Sequence, residues 1–206
     1  MPEHYVIVDG LAVPQRLGGH PAVDFCNTWA GWDGRDAKEY LASYDHLATW
    51  AGFVELLDAA RVQALRAEAA RRPRAAGQAL AHARVTRERI YRALACAGAI
   101  DAITQLAPDI RRATDRLVLH GDGDAPRFEI DAGGGLAIPL LATLWSAGQL
   151  LVSSDRARVR VCPGPGCGWL FLDRSGRRRW CTMTTCGNRE KARRFANRRR
   201  PNVGHE

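Results

Sequence analysis

The chain has 206 residues, 46% of them apolar, and a formal net charge of +8. That length suits one sizeable domain plus a small one, with enough apolar residues to fill a core. No unbroken apolar run reaches the roughly 18 residues of a membrane span, and the N-terminus lacks the basic region and apolar stretch of an export leader, so the expected location is cytoplasmic, without a membrane partner and with reduced thiols.

In chain order, Tyr5-Val6-Ile7-Val8 reads as a short strand broken at Asp9-Gly10, with Leu11-Ala12-Val13 as its return. Gly18-Gly19-His20 is a turn, and Pro21 suits the first position of a helix expected over 22–29. On that helix Asp24, Asn27 and Thr28 lie on one side. Two readings are open for them. They form a polar cluster in a ligand pocket with His20 at its rim, which would take a small-molecule effector, or they bond to neighbouring loop backbone. Cys26 and Cys96 are expected to be buried small hydrophobes. Ser43-Tyr44-Asp45 opens a helix closed by Gly52. Further helices are expected over 54–72, with Leu56, Leu57, Ala60, Ala64 and Leu65 inward, and over 78–97, with Leu80, Ala83, Ile90, Leu94 and Ala97 inward. Arg84, Arg87, Arg89 and Arg92 read as a solvated face. A helix from Asp101 is expected to break near Pro108 and resume at Arg111. Segments 117–119 and 127–130 flank Gly121-Asp122-Gly123-Asp124 as a hairpin, without the ligand pattern of a calcium loop. Gly133-Gly134-Gly135 reads as a flexible joint. Pro139 opens a strongly apolar helix, expected at the centre of the large domain, and Ser153-Ser154-Asp155 ends it.

The last quarter of the chain carries the most specific signal. Cys162-Pro-Gly-Pro-Gly-Cys167 and Cys181-Thr-Met-Thr-Thr-Cys186 are two pairs with four residues inside each and thirteen between them. Two short chelating loops of this kind suit one tetrahedral, structural Zn²⁺ with no position left for a catalytic water. Strands are expected at 157–161, 169–172 and 177–180, then a helix from Gly187-Asn188 toward Arg200, stopped by Pro201 and packing Ala192 and Phe195 back on the hairpin. This order is treble-clef-like, and a domain so small needs its metal in order to fold. Over 156–200 there are 14 Lys or Arg against Asp173 and Glu190, a net +12 on a body of −4. Such a module attracts polyphosphate. The candidate nucleic-acid contacts are Arg177, Arg178, Arg179, Asn188, Arg189, Lys191, Arg193, Arg194 and Arg198, the guanidinium fork suiting phosphates and guanine edges.

The stretch Trp180-Cys181-Thr182-Met183 through Cys186-Gly187-Asn188-Arg189, with Cys162-Pro163 and Cys167-Gly168-Trp169 upstream, resembles the CGNR zinc finger. Gly19-His20-Pro21, Asp24-Phe25 and Asn27-Thr28 resemble the opening of the ABATE domain, which usually precedes that finger. The resemblance implies a stress-induced transcription regulator. The expected fold class is α+β: a mainly helical domain with a small β-hairpin over 1–155, and the zinc finger over 156–206. The expected function is zinc-dependent DNA binding in transcription regulation, with the body sensing an effector or forming a homodimer. The alternative is an RNA- or protein-binding module, with Trp169 and Trp180 stacking bases if exposed. No nucleophile–base pair stands at an informative spacing, so an enzyme is not expected. The short link at Ser153-Ser154-Asp155 implies a finger docked on the body.

Overall fold

The computed structural model describes residues 4–32, 34, 37–96, 99–121 and 126–198, with only the backbone at Arg198. Expectations placed on Ala97, Asp122, Gly123, Asp124, Arg199, Arg200 and Pro201 lie outside the described residues.

The N-terminal hairpin forms as expected. β1 (Tyr5–Val8) pairs antiparallel with β2 (Leu11–Pro14), Val8 opposite Leu11. Asp9 and Gly10 both take positive φ, 49° and 77°, the turn whose twist matches a two-residue hairpin. α1 (Pro21–Cys26) has His20 as its N-cap, the ring accepting from the Ala22 N–H at 3.3 Å. It is shorter than expected. Asn27 caps its C-terminus, and the chain leaves as β3 (Trp29–Ala30), paired with β4 (Lys38–Glu39). The Thr28 hydroxyl donates back to the Phe25 carbonyl at 2.7 Å, one of the local bonds by which such residues end helices.

Four helices then build the body. α2 (Tyr44–Phe53) is capped by Ser43, whose hydroxyl accepts from the His46 N–H. α3 (Ala59–Arg71) starts later than the expected residue 54, because Asp58 is a better cap: its carboxylate accepts from the Arg61 N–H at 2.7 Å. Its buried stripe is Val62, Leu65 and Ala69, so of the five expected inward residues only Leu65 is buried. α4 (Pro73–Ala95) begins at the proline expected only to break the chain, since Pro at the first position loses no helical hydrogen bond. Leu80, Ala83, Ile90 and Leu94 face the core as expected. α5 (Ile100–Thr114) runs unbroken through Pro108, held by burial of Leu106 and Ala113 on its inner face. Cys26 is buried, but Cys96 is exposed just past the end of α4.

β5 (Leu117–His120) and β6 (Arg127–Ile130) form the second hairpin, with Leu119 opposite Phe128. The three glycines that follow are not a loose joint. They belong to a 3₁₀ segment, Ala132–Ala137, whose kink is made by Gly135 at φ 50°. α6 (Ile138–Val152) is the central helix, packing on α1, α2, α4 and α5. The segment Ala132–Val152 is long and apolar enough to cross a membrane by length and composition, which amends the expectation that no such stretch exists. It is 61% buried inside the body and serves as its core helix. Its own Leu144 and Leu150, and Phe25, Leu41, Trp50, Ile90 and Leu106 in the same core, are fully buried, each contributing about 1.5–3 kcal/mol by removal from water.

A 3₁₀ turn, Ser154–Arg158, leads into β7 (Val159–Val161), which pairs antiparallel with β8 (Leu170–Leu172) across the first cysteine loop. The expected third strand over 177–180 does not form; that stretch is irregular backbone. α7 (Asn188–Arg198) closes the described chain. The whole is α+β, mainly helical, with four two-stranded ribbons among the described residues.

Candidate metal centre

One glycine-bearing loop and one helical turn aim the four cysteines at one point. In the first loop the Cys167 N–H donates to the Gly164 carbonyl at 3.0 Å, and Gly166 and Gly168 take φ of 71° and 65°. A Cβ on Gly164 would lie 2.9 Å from the Cys186 sulfur, so the loop needs glycine there. In the second, Met183–Gly187 forms a single π-helical turn capped by the Thr182 hydroxyl, placing Cys186 just before α7. All four sulfurs lie within 4.8 Å of one another and all four residues are buried. Cys167 to Cys181 and Cys181 to Cys186 are each 3.6 Å between sulfurs. A tetrahedron with Zn–S of about 2.3 Å has edges of about 3.8 Å, whereas a disulfide closes to about 2.05 Å. The donor set fits one structural Zn²⁺ held by Cys162, Cys167, Cys181 and Cys186, with no open position. The backbone N–H of Cys181 donates to the Cys162 sulfur at 3.4 Å, and Arg189 reaches to 3.9 Å from the Cys186 sulfur.

The centre is built into the body rather than appended to it. Strand β8 alternates: Leu170 and Leu172 join the helical core, while Phe171, with Trp169 before it, faces a second cluster containing the four cysteines and Tyr40. The Trp169 indole N–H donates to the Trp29 carbonyl at 2.9 Å, the Tyr91 hydroxyl to the Gly168 carbonyl at 2.8 Å, and the Leu172 N–H to the Gly18 carbonyl at 2.8 Å. The Trp32 and Tyr91 rings stack at 3.8 Å beside Gly168, where an added Cβ would meet Trp32 at 2.6 Å. The docked finger expected from the short link is what the contacts give.

His20, Asp24, Asn27 and Thr28 stand at this junction. The Asp24 carboxylate accepts from the Gly18 N–H at 2.7 Å. Burial raises its pKa to about 6, opposed by the backbone N–H groups of Gly18 and Leu17 and by Arg16 and Arg178. Asn27 bonds both backbone groups of Leu170. Thr28 accepts from Arg87 at 2.9 Å. His20 caps α1, and burial, with Arg174 nearby, lowers its pKa. Asp24, Asn27 and His20 thus bond backbone groups here, and Thr28 bonds both the Phe25 carbonyl and Arg87.

The basic residues divide by what they already hold. Arg156 donates to the carbonyls of Ala93, Leu94 and Cys96, closing the C-terminus of α4. Arg158 and Arg174 pair with Asp155. Arg178 lies over the Phe171 ring and donates to the carbonyls of Leu17, Trp180 and Cys181. Arg193 and Arg194 both bond the buried Glu190. The side chains of Arg177, Arg179 and Lys191 are exposed and make no hydrogen bond or ion pair among the described residues. Asn188 and Arg189 are exposed, and the Asn188 amide donates to the Thr184 carbonyl at 3.2 Å. The Arg198 side chain lies outside the described residues. The burial of Ala192 and Phe195 expected from packing on the hairpin is not seen: Ala192 is exposed and Phe195 is 58% exposed. Arg87 corrects the reading of α4 as carrying a wholly solvated arginine face. It is buried, bidentate to Glu39 at 2.6 and 2.7 Å.

Fold and site together define a mainly helical protein with a closed four-cysteine zinc site and a basic terminal helix. Residues 158–199 match the CGNR zinc finger, and residues 19–154 match the ABATE domain, a family described as "Putative stress-induced transcription regulator". The chain belongs to that family. No curated protein matches it.

Sequence reasoning did not find Arg156, Arg178, Glu39 or Glu190 as structural residues. Glu190 left a signal: acid at i with Arg at i+3 and i+4 is a helical pairing pattern.

Proposed function

We propose that the protein is a zinc-dependent DNA-binding regulator of transcription, acting in the cytoplasm under stress and not as an enzyme. Residues 1–155 form a body that senses an effector or forms a homodimer, and residues 156–206 form the finger. The observation that carries this reading is α7, a basic helix exposed over residues 188–197 except at Glu190, on the same domain as the exposed side chains of Arg177 and Arg179, which have no partner among the described residues. An unburied helix with five Lys or Arg against one Glu is available to a duplex. In this reading Arg177, Arg179, Asn188, Arg189 and Lys191 make the contacts, and Arg193, Arg194 and Arg198 add to them along the helix. Arg178 serves instead to hold the loop at Leu17. Base stacking on Trp169 is disfavoured, since it is 1% exposed with its N–H committed to Trp29, while Trp180 is half-buried against the cysteine cluster.

The test is selection of pooled genomic duplex fragments by zinc-loaded protein at several salt concentrations, followed by sequencing. Enrichment of a few sites that survives physiological salt is the expected result. Binding that collapses with salt and enriches nothing would leave only general polyanion affinity.

A further inference from the structure

Between α5 and α6, away from the metal, lies a cleft of about 450 Å³ lined by Ile103, Ile110, Trp145, Leu151, Arg111 and Gln149, among others. The volume is that of a small-molecule site. Gly148 lies on its floor, letting the helices approach: a Cβ there would come within 3.1 Å of Ile110. Val152 stands at the mouth, 89% exposed, and the Phe128 ring of the second hairpin meets Trp145 edge-on at 5.9 Å. The lining is otherwise apolar, and neither Arg111 nor Gln149 makes a side-chain hydrogen bond or ion pair among the described residues. The neighbours of Arg111 at the same helix end are committed. Arg112 pairs with Asp109, and Arg116 with Asp131. An apolar wall with one unspent guanidinium and one unspent carboxamide at its edge complements a particular chemistry.

We infer that this cleft binds a small carboxylic acid with an apolar aromatic or aliphatic body, the carboxylate received by Arg111 and Gln149 and the body by Trp145, Ile103, Ile110 and Leu151. The planar guanidinium offers a carboxylate two parallel hydrogen bonds. As a control on the finger, this assignment rests on the regulatory reading above. Leu151 and Val152 are the last residues of α6, and Ser153 caps it. The 3₁₀ turn that follows places Asp155 on Arg158 and Arg174, then passes into β7 and Cys162. An occupant of the cleft therefore bears on the segment that positions the first zinc ligand.

The test is calorimetric titration of the full, zinc-loaded chain with 4-phenylbutyrate and with decanoate, each against its neutral amide. At least one acid should bind with a Kd of about 1 mM or tighter, and its amide about ten-fold more weakly or worse. Arg111→Ala should erase the difference between acid and amide. Ala107→Trp, at an exposed position lining the cleft, should block both while leaving the melting midpoint unchanged. Absence of saturable binding by either acid would overturn the assignment, as would binding that neither variant alters. Concentration-dependent dimerisation lost in Ala107→Trp, without acid binding, would assign the cleft to a second copy of the chain instead. None of these readouts involves DNA, so the assignment and the DNA-binding reading fail separately.

Discussion

Asn27 holds both backbone groups of Leu170: its Nδ2 donates to the Leu170 carbonyl at 2.9 Å, and its Oδ1 accepts from the Leu170 N–H at 2.9 Å. One carboxamide thus takes the place of a neighbouring strand. It joins the end of α1 to β8, 143 residues away in the chain, and both residues are fully buried. Removal of the carboxamide would leave two buried backbone groups without partners, each worth about 1–3 kcal/mol. Asn27→Ala is therefore expected to destabilise the chain by about 2–4 kcal/mol, read as a lower urea midpoint. Unfolding should remain a single transition, because the finger and the body share this bond. Two separated transitions in the parent protein would contradict that.

The zinc site supports more than the finger. Its cysteines share a cluster with Tyr40, and Tyr5, Leu17, Ala30 and Trp32 pack against it. Cys181→Ser, or chelation of the metal, should lower the melting midpoint of the whole chain and abolish DNA binding, since metal binding free energy is folding free energy in small sites. Circular dichroism at helical wavelengths and a duplex-binding titration check the two halves. Undiminished duplex binding by Cys181→Ser would exclude the finger as the contact surface.

Asp24 gives a pH dependence with a defined sign. Its pKa in the folded chain is about 6, above the ordinary 3.8. Between those values the folded chain keeps a proton that the unfolded chain has released, so this group's contribution is greatest below about pH 4 and is lost as pH rises through about 6. A shift of two units corresponds to roughly 3 kcal/mol. Asp24→Asn keeps an oxygen that can accept from Gly18 and carries no buried charge. It should match or exceed the parent midpoint at pH 7 and lose part of the fall in stability between pH 4.5 and 7. Both proteins are compared in zinc-saturated buffer, so that the common effect of pH on the metal cancels. Parallel curves would mean that Asp24 stays ionised throughout.

The metal ligands and most helices were legible because their signals are local. Four cysteines at fixed spacing, Ser43 before a helix and Asp9-Gly10 between strands each act within a few residues. What was hidden depends on distant partners. Asn27 left the helix because Leu170 offered it two bonds, Arg87 turned inward because Glu39 meets it from β4, and Arg178 turned away from solvent toward carbonyls at Leu17 and Cys181. The expected strand over 177–180 failed for the same reason: Arg178 is anchored by its side chain rather than by a ladder. Net charge counted the arginines correctly but could not separate those holding the fold from those left over.

That separation can be measured at Glu190. Its buried carboxylate receives Arg193 at 2.9 Å and Arg194 at 2.8 Å, so two basic side chains on the exposed helix are tied to an acid. Glu190→Gln keeps the shape and cancels the negative charge. If α7 meets duplex DNA, the variant should bind more tightly at low salt, with log K against log salt steepened by up to about two units, near 0.9 for each added phosphate contact. The same substitution should cost some stability, because a first-turn acid near the N-terminus of α7 opposes the helix dipole favourably. Tighter binding with lower stability would identify Glu190 as a restraint on the interface. Unchanged binding and slope, with the stability loss alone, would place the DNA contacts elsewhere on the finger, at Arg177 and Arg179, where Arg→Ala variants should then carry the salt dependence.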